Sequence, residues 1–335
     1  MTHDQYKSVF VAGAGAWGTS LAIMCSRVGL ATTLWCRSSE FEEELRSTRE
    51  NVKYLKGNKL PDELNITSDM AHACEADMII LATPAQSTRE VASSLNSYLT
   101  TPKPLLITAK GLERETNEFL SDVVRQSAPA LEPLVLSGPS FAADVARGLP
   151  TAITLAGDNA AQVSAIAKAL STSTFRIYVS DDMVGAQIGG AVKNVLAIAS
   201  GICAGKQLGA SAQAALLARS FAELRRLAAV LGAKPETLFG LSGLGDLSLT
   251  CSSAQSRNFS LGFELGKGVL LKEILSTRRA VSEGVYTAGV VRDLAIRNKI
   301  DMPVSTAVAS IVVDDANVDE QIMQLMMRPL KAEDE

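Results

Sequence analysis

The sequence is poor in the residues that mark several common kinds of functional site. It has only two histidines, His3 and His72, and its five cysteines are far apart with no CxxC pair. This spacing predicts neither a disulfide framework nor a zinc site. We therefore expect reduced cysteines that fill gaps in the core of a cytosolic protein.

Positive charge is also in short supply. The chain has 32 Lys and Arg against 36 Asp and Glu, which gives a net charge of -4. It thus lacks the basic surplus that a nucleic-acid-binding protein uses on phosphates. An anionic ligand must be bound by a few well-placed cations instead. With 20% charged and 47% hydrophobic residues, the composition is that of an ordinary globular protein.

Targeting and membrane segments are missing as well. The first residues lack the basic segment of a secretory signal, so we expect a cytoplasmic protein. The most apolar long stretch, residues 183–205, carries Gln187, Lys193 and Asn194 near its middle. Such polar residues favour a buried helix over a membrane span. A length of 335 residues suits two domains.

What the sequence does have is a glycine motif close to its start. Gly13, Gly15 and Gly18 form a GxGxxG pattern that follows the apolar run 8–12 and opens a helical pattern ending before Gly29. A second apolar run, 31–36, completes a strand, turn, helix and strand unit. Gly13 permits a tight turn, Gly15 lets the backbone approach a pyrophosphate, and Gly18 lets helix and strand pack closely. The helix N-terminus then faces the phosphate, which favours a dinucleotide site over a purely structural turn.

The alternation of strands and helices continues to about residue 185. Further apolar strands are predicted at 78–84, 104–109, 133–138, 151–157 and 175–180. Beyond them the patterns are helical, as in the stretch 210–232 that ends in Gly232. We predict an α/β fold: a Rossmann-type doubly wound sheet over 1–185, followed by an all-helical C-terminal domain over 186–335.

The end of the second strand bears on the choice of cofactor. A Rossmann unit that prefers NAD usually places Asp or Glu there, but this chain has Cys36, Arg37, Ser38 and Ser39 before Glu40. Arg37 with two serines suits the 2′-phosphate of NADPH, and we expect NADPH to be preferred over NADH. The alternative is a solvated arginine in a strand–helix loop.

Neither histidine is placed to supply a proton. His3 lies at the terminus, and His72 lies in a polar helical stretch away from the glycine motif. Lys193 interrupts a run of small and apolar residues, where desolvation lowers a lysine pKa toward the working range, and Asn194 beside it can hydrogen-bond a substrate oxygen. Lys193 is therefore our candidate acid, although a lysine that snorkels to the surface fits the same pattern.

A second polar cluster lies in residues 240–262. This segment combines several glycines with Asp246, Thr250, Ser256, Arg257 and Asn258. We interpret it as a turn-rich segment between helices that forms a site rather than a linker. Arg257 can bind a phosphate through two donors, with Ser256 and Asn258 adding more. Asp246 can orient the ammonium group of Lys193.

Several of these segments, in this order, match one family. They are GAGAWGTSLA at 13–22, KGLE at 110–113, LSGPSFAADVARGLPTA at 136–152, AVKNVLAIASGI at 191–202, GLGDLSLTCSSAQSRN at 243–258 and VSEG at 281–284. Together they resemble the NAD(P)-dependent sn-glycerol-3-phosphate dehydrogenases of bacterial type. The resemblance implies a Rossmann domain followed by a helical domain, and a cytoplasmic homodimer. It also implies reversible reduction of dihydroxyacetone phosphate to sn-glycerol 3-phosphate with NADP(H) or NAD(H), for phospholipid synthesis.

The same resemblance implies roles for individual residues. Lys193 becomes the proton donor and acceptor and also contacts the substrate. The other substrate contacts become Lys110, Gly138, Ser140, Asp246, Ser256, Arg257 and Asn258. The cofactor contacts become Gly13, Gly15, Ala16, Trp17, Gly18, Arg37, Lys110, Ala142, Arg257, Val281 and Glu283. Ala16 stands where relatives often have serine, so a hydroxyl contact to the pyrophosphate is missing there, but backbone N–H groups can still bind it.

Two alternatives remain. Related reductases of 6-phosphogluconate or β-hydroxyacids share the two-domain plan and a lysine on the first helix of the second domain, but the cluster at 243–258 counts against them. A dinucleotide sensor without chemistry would be expected to have lost Lys193 or Arg257, and both are present.

Overall fold

The computed structural model describes residues 6–277, 282–330 and 332. Within these residues eight strands form one sheet in the order β3-β2-β1-β4-β5-β6-β7-β8. All neighbouring strands are parallel except β6 and β7, which are antiparallel. The strands are β1 Ser8–Ala12, β2 Ala31–Trp35, β3 Asn65–Thr67, β4 Met78–Leu81, β5 Lys103–Ile107, β6 Leu131–Ser137, β7 Thr151–Ala156 and β8 Phe175–Ser180.

The sheet has a core on each face. Val9 and Val11 of β1 belong to one buried cluster, whereas Phe10 and Ala12 belong to another. Because successive side chains of a strand point to opposite faces, helices are needed on both sides of the sheet. The chain order reverses between β1 and β4, and in such sheets ligands bind at the carboxyl ends of the strands beside this switch point. The predicted doubly wound fold is confirmed.

The helices follow the strands in the first part of the chain and then continue alone. They are α1 Ala16–Arg27, α2 Ser39–Thr48, α3 Thr88–Asn96, α4 Leu120–Ser127, α5 Ala142–Arg147, α6 Ala160–Leu170, α7 Met183–Gly205, α8 Ala210–Val230, α9 Pro235–Phe239, α10 Asp246–Ser252, α11 Arg257–Gly266, α12 Leu271–Thr277, α13 Glu283–Arg297, α14 Pro303–Val313 and α15 Val318–Met326. Short 3-10 helices cover Met70–Glu75 and Ala85–Ser87, and a single π-helical turn covers Leu241–Gly245. The predicted all-helical C-terminal part is confirmed for the residues described.

The contacts divide the chain into two compact units. Unit 1 extends to Gly190 and also includes Gly232–Asp246, and unit 2 comprises Ala191–Leu231 and the chain from Leu247 onward. The division falls inside α7, five residues beyond the boundary that we predicted at 185. The sequence pattern did not predict that residues 232–246 belong to unit 1.

Helix α7 is the long apolar stretch noted in the sequence. It is the one described helix that is long and apolar enough to cross a membrane, and 89% of its most apolar window is buried within the protein. The prediction of a buried helix is confirmed. In unit 2 its backbone approaches α11 closely, because a Cβ on Gly201 would clash with Phe259 O and a Cβ on Gly262 would clash with Ile198 O.

The interpretation of residues 240–262 as a turn-rich segment is wrong. The π-helical turn, α10 and the start of α11 make up most of it, and residues 253–256 form the short break between the two α-helices. Two of its glycines allow close packing: a Cβ on Gly243 would clash with the carbonyl of Leu238, and Gly262 packs against α7 as described above.

The remaining predictions concern the strands, the histidines and the cysteines. Seven of the eight strands lie where the apolar runs predicted them, and the three-residue β3 was missed. His72 lies in the 3-10 helix Met70–Glu75 with its side chain 40% exposed, and His3 lies outside the described residues. The five cysteines are free thiols, and four of them are buried.

Candidate active site

The glycine loop joins β1 to α1 at the carboxyl edge of the sheet. Gly13 has φ +122°, and a Cβ on it would lie 2.8 Å from Ala82 O. A Cβ on Gly18 would clash with Gly13 O. Gly15 differs, since a Cβ there would meet no protein atom within 4 Å. The turn and the packing account for Gly13 and Gly18, whereas the open side of Gly15 leaves room for a ligand.

The first turn of α1 completes this cradle. Gly15 is the N-cap residue, and its carbonyl accepts from Thr19 N at 2.9 Å. The first N–H groups of any helix lack partners within the helix and carry its positive dipole end. Ala16 and Trp17 occupy this turn, and Ala142 opens α5; all three pack against the core beneath the loop. The residues present therefore fit a pyrophosphate bound through backbone N–H groups.

A buried asparagine supports the glycine loop from below. Asn51 is fully buried, and its Nδ2 donates to Ala14 O at 3.0 Å and to Thr19 Oγ1 at 2.7 Å. Our sequence analysis missed this residue. The segment around it has no motif, and an asparagine in a loop is common, so the sequence carried no signal for it.

The end of β2 presents an exposed cation. Arg37, Ser38, Ser39 and Glu40 are all exposed. Ser38 is the N-cap of α2, where its Oγ accepts from Phe41 N at 3.3 Å. The hydroxyl of Ser38 thus has a structural function, and the exposed Arg37 can reach a ligand at this edge.

Lys110 and Asp246 form a partly buried ion pair in unit 1. Lys110 Nζ lies 2.7 Å from Asp246 Oδ2 and donates to Gly138 O at 2.8 Å. Asp246 is only 1% exposed. The structure thus pairs Asp246 with Lys110, and the orientation of Lys193 by Asp246 stays a prediction.

Gly138 and Ser140 lie beside this ion pair. Gly138 follows β6 with φ +150°, and a Cβ on it would lie 2.9 Å from Ile153 Cα. Ser140 Oγ donates to the Gly138 carbonyl at 3.1 Å. Four of the predicted substrate contacts, Lys110, Gly138, Ser140 and Asp246, are therefore neighbours at the carboxyl edge of the sheet.

Lys193 is the buried cation of unit 2. It lies on α7 with 6% of its surface exposed, and its Nζ donates to Thr250 Oγ1 at 2.7 Å. Thr250 itself is buried on α10. A snorkelling surface lysine is therefore excluded, and the hydroxyl of Thr250 fixes the direction of the ammonium group.

Two amides beside Lys193 form a hydrogen-bonded chain. Asn258 Nδ2 donates to Asn194 Oδ1 at 2.9 Å, and Asn258 Oδ1 accepts from Gly284 N at 3.1 Å. A Cβ on Gly284 would lie 2.5 Å from Asn194 O, so α13 approaches α7 very closely. Asn194 and Asn258, both predicted to contact a ligand, thus tie three helices together.

Arg257 begins α11. Ser256 is the N-cap residue of this helix, and its Oγ accepts from Phe259 N at 3.2 Å. Surrounding protein lowers the pKa of Arg257, while the charge of Glu283 opposes this shift. Arginine remains cationic at any physiological pH. Its guanidinium group therefore keeps the positive charge that binding a phosphate requires.

The predicted residues thus fall into two groups. Unit 1 contains the glycine loop, Arg37 and the Lys110–Asp246 pair. Unit 2 contains Lys193 and the run Ser256, Arg257 and Asn258. Val281 lies outside the described residues. Among the residues described, no group of three or more His, Cys, Asp and Glu is arranged to hold a metal ion. Unit 1 offers a cradle that fits a dinucleotide, and unit 2 offers a buried lysine and an arginine.

Comparison with known proteins agrees with this chemistry. A family model for the N-terminus of NAD-dependent glycerol-3-phosphate dehydrogenase matches residues 8–163, and one for its C-terminus matches residues 182–323. The chain is 48% identical over 328 residues to "Glycerol-3-phosphate dehydrogenase [NAD(P)+]" of Parvibaculum lavamentivorans, with 98% of both chains covered. It is 49% identical over 329 residues to the protein of that name from Bradyrhizobium diazoefficiens, covering 98% of this chain and 99% of that one.

Solved structures show the same likeness. A crystal structure of glycerol-3-phosphate dehydrogenase from Coxiella burnetii is 36% identical, has a TM-score of 0.92, and covers 96% of this chain and 99% of its own. A ketopantoate reductase from Ralstonia eutropha, 16% identical with a TM-score of 0.61, shares only the fold. The chain belongs to the NAD(P)-dependent glycerol-3-phosphate dehydrogenase family.

Proposed function

We propose that this protein reversibly reduces dihydroxyacetone phosphate to sn-glycerol 3-phosphate with NADPH or NADH. The observation that carries the proposal is the buried Lys193, held by Thr250 at 2.7 Å, in a family member that retains Arg257 and the glycine loop. The 6-phosphogluconate and β-hydroxyacid alternative lacks comparable support, because the relatives at 48–49% identity are glycerol-3-phosphate dehydrogenases by name.

Lys193 is the proposed general acid. The nicotinamide cofactor, when bound, supplies the hydride that reaches C2 of the ketone. As negative charge develops on the carbonyl oxygen, Lys193 Nζ donates a proton to it, and in the reverse direction the neutral amine takes the proton back. Thr250 Oγ1 accepts one N–H of the ammonium group, and this contact sets the direction in which Nζ points.

Arg257 is the proposed partner of the substrate phosphate, and Lys110 is a separate proposed substrate contact. A guanidinium group binds a phosphate through two parallel donors, which fixes orientation as well as charge. Lys110 is held at Gly138 O and Asp246 Oδ2, so its position is set by two fixed oxygens. Holding the phosphate restricts how the ketone presents C2, and such orientation is itself a large part of catalysis.

The glycine loop is the proposed site of the cofactor pyrophosphate. Gly15 leaves open space, and the first turn of α1 offers N–H donors. Arg37 is exposed at the end of β2, where it can bind a 2′-phosphate, which supports a preference for NADPH. We further propose a cytoplasmic homodimer that feeds glycerophospholipid synthesis, on the basis of the family resemblance.

A substrate comparison with the purified full-length protein tests the proposal. Reduced cofactor should be oxidised rapidly with dihydroxyacetone phosphate and only slowly with dihydroxyacetone, because the phosphate is gone. The product should be the sn-3 enantiomer, as judged by an enzyme specific for it. Equal turnover of the two ketones would contradict a phosphate-binding role for the site.

A further inference from the structure

A buried amide supports the glycine loop. Asn51 lies three residues after α2, and its side chain makes three hydrogen bonds in unit 1. Nδ2 donates to Ala14 O at 3.0 Å and to Thr19 Oγ1 at 2.7 Å, while Oδ1 accepts from Tyr54 N at 3.1 Å. The amide thereby holds the loop, the first turn of α1 and its own turn 51–54 together.

The bond to Ala14 controls the direction of a neighbouring N–H. A peptide unit is planar and trans, so its C=O and N–H point in opposite directions. The C=O of Ala14 and the N–H of Gly15 belong to one such unit. Because Asn51 binds the carbonyl from below, the Gly15 N–H is turned to the other side of the loop, away from Asn51.

The other restraints on the loop act on its two ends. Gly13 N donates to Trp35 O at 3.1 Å, and Gly15 O accepts from Thr19 N at 2.9 Å. Neither bond fixes the rotation of the Ala14–Gly15 peptide unit between them. Without Asn51 that unit could rotate, since a glycine on one side offers little steric resistance.

We propose that Asn51 is a positioning residue for the dinucleotide, acting through the Ala14–Gly15 peptide and Thr19 and not by touching the ligand. This inference rests on the proposed placement of the cofactor pyrophosphate at the glycine loop. A residue that only stabilised the fold would lower the unfolding temperature and leave the affinity of the folded protein unchanged. A positioning residue changes the affinity for the cofactor and leaves kcat at saturation nearly unchanged.

The central test is Asn51→Asp, which keeps the shape and the acceptor for Tyr54 N but sets a carboxylate oxygen against Ala14 O. Equilibrium titration with NADPH should show Kd raised about tenfold to a hundredfold, in line with the loss of a buried hydrogen bond and an unfavourable contact. KM for NADPH should rise in parallel, while kcat at saturating NADPH stays within about threefold. An unchanged Kd would overturn the proposal.

Two variants of Thr19 test the role of Asn51 if Asn51→Asp does not fold. Thr19→Val removes the acceptor of one Asn51 donor with little change in shape, and we expect Kd for NADPH to rise about three- to tenfold. Thr19→Ser keeps the hydroxyl and should bind NADPH as the unaltered protein does. Equal Kd values for the valine and serine variants would also overturn the proposal.

Two further variants separate this inference from the proposed placement of the cofactor. Asn96 accepts from Ala130 N at 2.9 Å at the amino edge of the sheet. Asn96→Ala thus removes a loop-holding asparagine far from the glycine loop and should leave Kd unchanged. Gly15→Val fills the open side of the loop and should abolish NADPH binding. If Gly15→Val bound NADPH normally, the proposed placement of the pyrophosphate at the glycine loop would be wrong. If Gly15→Val lost NADPH binding but the Asn51 and Thr19 variants bound NADPH normally, the placement would stand and the proposed role of Asn51 would be wrong.

Discussion

Lys193 is the residue on which the proposed chemistry depends most. It is buried, and Thr250 holds its ammonium group at 2.7 Å. Lys193→Met keeps the length and removes the proton. General acid catalysis typically contributes about 10² to 10⁴ in rate, so we expect kcat to fall by that factor while Kd for NADPH changes little. Steady-state kinetics and an NADPH titration measure the two quantities.

Lys206 offers a matched control for this variant. It follows the end of α7 and pairs with Asp319 at 2.5 Å on the surface of unit 2. Lys206→Met should therefore retain kcat. A Lys193→Met protein with nearly unaltered kcat would show that another group supplies the proton.

Arg257 is the residue for which a substrate effect is expected. It opens α11, and its positive charge persists although the surrounding protein lowers its pKa. A charge-assisted hydrogen bond is worth about 1.5 to 3 kcal/mol. Arg257→Ala should therefore raise KM for dihydroxyacetone phosphate by about one to two orders of magnitude. Arg292→Ala, which breaks an ion pair with Asp314 in the same unit, should leave this KM unchanged.

Arg37 tests the preference between the two cofactors. Its exposure means that solvent and salt screen its charge, so we expect an NADPH preference of about five- to thirtyfold in kcat/KM, or about 1 to 2 kcal/mol. Arg37→Asp should reverse the preference, since a carboxylate repels the 2′-phosphate and accepts from the ribose hydroxyls. Arg176→Asp, at an exposed position of β8, is the control. Equal kcat/KM values for both cofactors in the unaltered protein would mean that Arg37 does not reach the ligand.

Among the elements, α14 depends on a carboxylate from another helix. Glu223 of α8 is buried and accepts from Val304 N at 2.6 Å, Ser305 N at 3.0 Å and Ser305 Oγ at 2.8 Å. It thus satisfies the first turn of α14 and lies at its positive dipole end. Glu223→Gln places an amide donor against backbone donors and should lower the unfolding free energy by about 1 to 3 kcal/mol.

The pH dependence of this effect has a definite sign. Burial raises the pKa of Glu223, although the hydrogen bonds and Arg226 oppose the shift. The folded protein then holds the proton more tightly than the unfolded chain, so the contribution of Glu223 is greatest below the unfolded pKa and declines as pH rises through the raised value. Denaturant unfolding should show the difference in unfolding free energy between the unaltered protein and Glu223→Gln narrowing as pH rises above the ordinary range of a glutamate pKa.

Some elements could be predicted from the sequence and others could not, for local reasons. Seven strands are visible as apolar runs, whereas β3, Asn65–Thr67, is too short to produce one. Residues 240–262 were misread because glycine serves both turns and close helix contacts. Gly262 allows a close helix contact, and this is visible only once the fold places it against α7.

Some residues of the candidate site could likewise be predicted from the sequence and others could not. Lys193 is recognisable because a charge interrupts an apolar helix, a conflict that a sequence displays directly. The pairing of Thr250 with Lys193 and the contacts of Asn51 are not, since the partners lie 57 and 32–37 residues away in the chain. In the case of Asn51 one partner is a backbone carbonyl, which has the same chemistry at every position. Only the fold brings such groups together.

At the scale of the whole molecule, cofactor binding should appear as added stability. NADPH at about one hundred times its Kd adds about 2.7 kcal/mol to the folded state. For a cooperative transition of about 200 residues, this corresponds to a rise of about 5 to 11 °C in Tm. Because the glycine loop lies in unit 1, the calorimetric transition that includes this unit should shift.

Two variants separate binding from chemistry in the same measurement. Gly15→Val should lose the NADPH-induced rise in Tm, because its side chain fills the open side of the loop. Lys193→Met should keep nearly the full rise although its turnover is lost, since a proton donor contributes to the reaction and not to holding the pyrophosphate. The opposite pattern, with the rise kept in Gly15→Val and lost in Lys193→Met, would mean that the cofactor phosphates bind in unit 2 and that the glycine loop is only a structural turn.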